Sequence, residues 1–189
     1  GVLEIAEAAQ KARCCLVVDE AFIDFCPGNS VIDEVRNNPY LIVLRSMTKI
    51  YALSGLRIGY ALIPEYLTGE MNSSKEPWTV NTLAQKAGVA ALSDKAYVKK
   101  TLAFIKKEKK FLENGFRKIG VKFFHSDANF YLLKTGNALE TYKKLKRRGI
   151  LARDCSNFKG LGGSYIRVAV KSAKDNRRLL KELEDICRA

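Results

Sequence analysis

Side chains capable of chemistry stand closest together in the stretch Arg45-Ser-Met-Thr-Lys49-Ile-Tyr-Ala-Leu-Ser-Gly-Leu-Arg57-Ile-Gly-Tyr60. It holds the hydroxyls of Ser46 and Thr48, the amine of Lys49, a turn at Gly55 and the guanidinium of Arg57. A lysine at the end of an apolar run, beside other cations, can be kept partly neutral and so nucleophilic. Ser46, Thr48 and Arg57 are the donor types that hold a phosphate, arginine through a bidentate fork and the hydroxyls through directed bonds. The glycine and lysine spacing of a nucleoside-triphosphate loop is absent. On these residues alone, a polar loop with a solvated lysine remains an alternative reading.

Upstream, Val17-Val18-Asp19-Glu20-Ala21-Phe22 ends a second apolar run in carboxylates. In open parallel sheets ligands bind at the carboxyl ends of the strands, so Asp19 and Lys49 are expected to face one crevice. A carboxylate that keeps a pyridine nitrogen protonated, with a lysine that forms a Schiff base, is the arrangement that serves pyridoxal 5'-phosphate.

The elements that must position these groups follow from periodicity. Apolar residues at 2, 5, 6 and 9 predict a helix over Val2–Arg13. Cys15–Asp19, Tyr40–Arg45 and Arg57–Ile63 read as buried strands, separated by the Pro27-Gly28-Asn29-Ser30 turn and the lysine loop. Continuous apolar strands of this kind predict a parallel sheet covered on both faces. Beyond Pro77 lie an Ala-rich helix, Val80–Leu92, and a longer one, Tyr97–Ile119, with apolar residues at 98, 102, 105, 112, 116 and 119. Strands are expected at Val121–Phe124, Asn129–Lys134, Ile150–Arg153 and Tyr165–Val170. Helices are expected at Ala138–Arg148 and Ala173–Cys187, the last burying Leu179, Leu180, Leu183 and Ile186. The fold class is therefore α/β: part of a parallel-sheet large domain over residues 1–90, then a small α+β domain over 91–189.

Composition removes several classes. The 189 residues are 47% hydrophobic and 28% charged, with 4 Pro and 13 Gly, as in a globular chain and unlike a disordered or collagenous one. Apolar runs are too short to span a bilayer and no signal peptide is visible, so no membrane partner is expected. Charge is uneven: residues 1–95 carry 9 Lys/Arg and 11 Asp/Glu, residues 96–189 carry 24 and 9. The basic residues are not interleaved with aromatics as in an RNA-binding sheet, which argues against nucleic acid; attraction of an anionic small molecule fits, as does a solvated basic face. Five cysteines (Cys14, Cys15, Cys26, Cys155, Cys187) without a CxxC pair fit neither a disulfide framework nor zinc, and imply a reducing cytoplasm. With only one histidine, His125, expected in a loop, no metal site is predicted.

The strings VVDEAF and RSMTKIYALSGLRIGYAL resemble fold-type I pyridoxal-phosphate enzymes of the aspartate aminotransferase superfamily. DEAFIDF, PWTVN and GILARDCSNFKGLGGSYIRVAVKSAKDNRRLL are similar to the threonine-phosphate decarboxylases, a branch close to the histidinol-phosphate aminotransferases. The resemblance implies that Lys49 carries the cofactor and Asp19 pairs with its ring nitrogen. Ser46, Thr48 and Arg57 would bind its phosphate. Arg167 matches the arginine that receives the substrate's acidic group, and Arg153 a second arginine of the members with phosphorylated substrates. Many aminotransferases carry Tyr where Phe22 stands; its hydroxyl bonds the cofactor's phenolic oxygen, and Phe22 cannot donate that bond. This departure favours the decarboxylase.

The resemblance further implies decarboxylation of L-threonine O-3-phosphate in cobalamin biosynthesis, by a homodimer that takes a small phosphorylated amino-acid substrate. The family's glycine-rich phosphate loop, ring-stacking aromatic and Asn-Pro segment are absent from residues 1–189, so the chain is expected to be the C-terminal part of a longer enzyme, inactive alone. Histidinol-phosphate aminotransferase and a non-catalytic module binding phosphorylated metabolites are the alternatives. Borohydride reduction with pyridoxal phosphate is expected to fix the cofactor on Lys49; mass analysis that finds no adduct there would support the non-catalytic module.

Overall fold

The computed structural model describes residues 1–188, and these fall into two units divided between Lys99 and Lys100. In the first, α1 (Val2–Lys11) leads into β1 (Leu16–Asp19), which pairs in parallel with β2 (Leu41–Ser46) in the register Leu16↔Leu41 to Asp19↔Leu44. Ala6, Val31, Leu41 and Val43 form its core, with Leu16, Val18, Ile32 and Val35 packed around them. Side chains alternate along β1, so Leu16 and Val18 face that core while Val17 is exposed.

The third strand corrects the all-parallel expectation. β3 (Gly59–Leu62) runs antiparallel to β2, in the sheet order β1-β2-β3. The connection from β2 contains a short 3-10 turn at Ser54–Leu56 and no crossover helix, so the chain doubles back. Gly59 is required at the pairing: a Cβ there would lie 2.6 Å from the Arg45 carbonyl oxygen. α2 (Thr68–Ser74) and α3 (Thr82–Ser93) complete the unit; the Asn81 side chain caps α3 by accepting from the Ala84 N–H at 2.8 Å.

α4 (Lys95–Lys118) begins in the first unit and supplies the second with its longest helix. Of the expected apolar face, Ile105, Leu112 and Phe116 are buried, and Val98, Leu102 and Ile119 half-buried. The same stripe also carries the buried Glu108, whose carboxylate accepts a 2.8 Å bond from the buried Asn176 amide. The sheet of the second unit has the order β4-β5-β7-β6 and is antiparallel throughout: β4 (Lys122–Phe124), β5 (Phe130–Lys134), β6 (Arg153–Asp154) and β7 (Tyr165–Ala169).

α5 (Ala138–Arg147) and α6 (Ala173–Arg188) flank this sheet in the chain. Leu179 and Leu183 of α6 are buried, whereas Leu180 and Ile186 reach only half-burial. Leu180 packs on Gly115, where a Cβ would collide with its Cδ1. The strand expected at Ile150–Arg153 is shorter and later. The Ile150 N–H turns back to the Leu145 carbonyl, with Gly149 at φ 73°, so residues 150–152 form the exit of α5.

Phe116, fully buried, packs 5.5 Å from the Phe123 ring and 5.7 Å, edge-on, from Tyr131. Truncating Phe116→Ala empties the centre of that cluster and is expected to cost about 3–5 kcal/mol, read by urea unfolding; a loss near zero would show the cluster to be peripheral.

Candidate active site

Parallel pairing places the carboxyl ends of β1 and β2 on one edge, and four of the expected site residues gather there. Asp19 ends β1, where its Oδ1 accepts the Ala21 N–H at 2.9 Å, a turn that fixes the carboxylate. Ser46 ends β2; its Oγ lies 2.7 Å from Thr48 Oγ1 and accepts the Thr48 N–H at 3.3 Å. Lys49 follows, its Nζ 5.3 Å from the centre of the Phe22 ring, over its face. Arg57 stands further along, in the left-handed region at φ 52°, with Nη1 donating to the Ser54 carbonyl at 3.0 Å. Such a conformation in a non-glycine residue is costly and typical of functional loops. Among the described residues Arg57 makes no hydrogen bond to Ser46 or Thr48.

The lysine loop is anchored by its apolar members. Met47 and Ile50 are each 2% exposed, so these two residues of the loop point inward while Ser46 and Thr48 are half-buried and Lys49 is exposed. The Met47 N–H bonds the Ile58 carbonyl at 3.2 Å, and the Met47 carbonyl accepts from Leu53 at 3.3 Å. Gly88 of α3 is the surface against which Met47 rests: a Cβ there would lie 3.3 Å from the Met47 sulfur and 2.9 Å from Ile58 Cδ1.

Next to this edge is a buried ion network that the sequence reading did not single out. Arg45 Nε faces Glu20 Oε2 at 2.8 Å, and its Nη1 bonds Asp24 Oδ1 at 2.9 Å. Its Nη2 donates to Ser30 Oγ at 2.8 Å, and that hydroxyl donates onward to Glu20 Oε2 at 2.9 Å. Glu20 Oε1 accepts the Val31 N–H at 2.7 Å. Burial raises the pKa of Asp24, opposed by Arg45 and reinforced by Glu20. The phenols of Tyr51 and Tyr60 are also pushed up, first by burial. The signal in the sequence was a pair of carboxylates spaced around Phe22 and an arginine just before Ser46, a spacing that has no meaning until the strands pair.

The second unit holds the two remaining candidates. Arg153 and Arg167 are direct partners across β6 and β7, and directly opposed residues project to the same face. Arg167 lies over the Phe130 ring at 4.8 Å and Arg153 over Phe158 at 5.9 Å; Arg153 also donates to Asn157 Oδ1 at 3.1 Å. Among the described residues neither guanidinium has a carboxylate within ion-pair distance. The buried Cys155 thiol is pushed up by burial and pulled the other way by Arg167 and then Arg153. Two guanidinium groups set side by side without acidic partners are donors of the kind that an anion can bridge.

Residues 1–183 match the family model of class I and II aminotransferases, and the chain belongs to that family. It is 36% identical over 186 residues to threonine-phosphate decarboxylase of Salmonella typhimurium, covering 96% of this chain and 51% of that protein. It is also 36% identical over 184 residues to histidinol-phosphate aminotransferase of Thermoanaerobacter pseudethanolicus, covering 97% and 52%. The crystal structure of histidinol-phosphate aminotransferase from Clostridium acetobutylicum superposes with a TM-score of 0.93 at 32% identity, over 98% of this chain and 58% of that one. The chain thus spans about half the length of the curated relatives it matches. The donor set of the first unit fits pyridoxal 5'-phosphate: an amine, a carboxylate at the same sheet edge, and hydroxyl and guanidinium groups for a phosphate. Among the described residues no helix is long and apolar enough to cross a membrane.

Since Gly88 admits Met47 so closely, Gly88→Val is expected to displace the loop and cost about 1–3 kcal/mol. Thermal unfolding measures the cost, and faster proteolysis within residues 46–53 would locate it; an unchanged loop would mean that α3 yields instead.

Proposed function

We propose that the protein of which this chain forms a part is a pyridoxal 5'-phosphate enzyme that decarboxylates L-threonine O-3-phosphate to 1-amino-2-propanol O-2-phosphate, a carboxy-lyase step of cobalamin biosynthesis. Residues 1–90 belong to its large cofactor-binding domain and residues 91–189 to its small domain. It works in the cytoplasm as a homodimer, with a small phosphorylated amino acid as substrate and without metal, nucleic acid or membrane as partner. The observation that carries the reading is the gathering of Asp19, Ser46, Thr48 and Lys49 at one sheet edge, with Phe22 against Lys49.

When bound, the cofactor supplies an electron sink for the pair released at the substrate's Cα. Lys49 would hold it through Nζ, Ser46, Thr48 and Arg57 would bind its phosphate, and Asp19 would keep a proton on its ring nitrogen, an electrostatic stabilisation set before the reaction starts. Arg153 and Arg167 bind the substrate's phosphate as a dianion, two forks on one anion. Their grip decides which substituent of Cα is turned for cleavage: the carboxylate, which leaves as CO2, or the hydrogen. Lys49 Nζ would return a proton to Cα once CO2 has left. Phe22 would line the cofactor without donating a hydrogen bond to it.

Amino transfer from histidinol phosphate is the second reading, favoured by the equal identity to that enzyme from T. pseudethanolicus and by the C. acetobutylicum superposition. The same residues serve it when Lys49 removes the Cα proton. Retention of Lys49 with Asp19 and Arg57 argues against a pure binding module, which needs no nucleophilic amine. The full-length protein, loaded with pyridoxal phosphate, is expected to release CO2 and aminopropanol phosphate from threonine phosphate, identified by mass. Glutamate and the imidazole ketone phosphate, formed from histidinol phosphate with 2-oxoglutarate, would establish the aminotransferase instead. Lys49→Ala is expected to abolish either turnover, and appreciable residual activity would sink both.

A further inference from the structure

We propose that Arg45 is the positioning residue of this site: one guanidinium, held by Glu20, Asp24 and Ser30, sets Phe22 in place beside Lys49. The inference rests on the assignment of that sheet edge as the cofactor site, and goes beyond it by naming what orders the edge.

The connectivity carries the argument. Glu20 follows Asp19 directly, Asp24 lies two residues past Phe22, and Arg45 directly precedes Ser46. Arg45 meets Glu20 at 2.8 Å and Asp24 at 2.9 Å, so the segment containing Phe22 is gripped on both sides by a single group. The third contact, to Ser30 at 2.8 Å, ties in the next loop, whose hydroxyl also accepts the Ile32 N–H at 3.1 Å. The Glu20 N–H also bonds the Leu44 carbonyl at 2.9 Å and ties the start of the segment to β2, while the bonds from Ile23 to Glu20, Phe25 to Phe22 and Cys26 to Ile23 are local turns. Such turns define a bend but not where its far end sits relative to β2. The guanidinium reaches from β2 to both sides of Phe22.

Geometry, more than charge, makes Arg45 suited to the task. A guanidinium presents its donors in a fixed plane and can meet three acceptors in three directions. Lysine at the same place keeps the charge as a point and cannot reproduce the fork. Arg45 is 11% and Glu20 3% exposed at the side chain, so water offers little substitute for lost bonds. The side chain does not touch the reacting groups; it acts through the residues that do.

Two readouts test this in the full chain. Hydrogen exchange by mass spectrometry reads the segment directly: in Arg45→Lys the amides of residues 21–26 are expected to exchange roughly tenfold faster, with the β1–β2 core unchanged. Visible circular dichroism of the pyridoxal phosphate adduct, per mole of adduct fixed on Lys49, is expected to fall about twofold or more, because a loosened wall no longer holds the chromophore in one orientation. Asp24→Asn, which keeps Arg45 and weakens one grip, is expected to shift both readouts the same way by less, and it serves if Arg45→Lys does not fold.

Wild-type exchange and dichroism in these variants would overturn the proposal, as would a uniform loss of protection across the first unit. A change in Asp24→Asn but none in Arg45→Lys would assign the effect to net charge and overturn it equally. Absence of any adduct in the wild-type protein would instead defeat the cofactor assignment, while the exchange measurement still decides whether Arg45 orders the segment.

Discussion

Parallel pairing of β1 with β2 is the constraint on which the rest of the first unit depends. It brings two chain segments separated by a long irregular loop to one edge, so that Asp19 and Ser46 end their strands on the same side. Backbone dipoles and unpaired strand-end groups make such edges natural ligand sites. The antiparallel return of β3 then closes the lysine loop against the sheet, with Gly59 admitting the close approach to the Arg45 carbonyl. Met47 and Ile50 bury themselves beneath the loop, and the polar residues between them are left facing outward. The site is an outcome of which residues the sheet buries.

Charge is handled differently in the two units. In the first, a buried arginine is met by two carboxylates and a hydroxyl, an arrangement in which removal of any one partner leaves another without compensation. In the second, Arg153 and Arg167 face each other across a strand pair without an acidic partner among the described residues. Like charges opposed in this way repel. Aromatic faces at Phe130 and Phe158 offset part of that cost, and a bound anion would offset the remainder. The first cluster pairs its charges internally, although Arg45 Nε itself makes no hydrogen bond; the second has no acidic partner among the described residues.

The relatives divide between a decarboxylase and aminotransferases. Phe22 and the CSNFKGLGG stretch are the features of the sequence that bear on this choice. The Phe22 ring meets the Lys49 ammonium through a face and not a hydroxyl, so the contact is electrostatic and apolar without a directed hydrogen bond.

The sequence by itself determined the elements and the chemistry-bearing residues. Helical periodicity located α1, α4, α5 and α6 to within a few residues, and apolar runs located the strands, because burial of one face is a local, periodic property. The run Arg45–Tyr60 was legible as a candidate site because it groups hydroxyls, an amine and guanidinium groups within one short stretch. Tertiary structure alone decided the rest. The direction of β3 depends on the absence of a crossover helix after β2, and the end of α5 at Gly149 shortened β6 by redirecting the Ile150 N–H. Glu108 broke the apolar stripe of α4 because its partner Asn176 lies on a helix far along the chain. The Arg45 network was invisible for the same reason: Glu20, Asp24, Ser30 and Arg45 are unremarkable in line, and become one unit only when two strands pair and remove them from water.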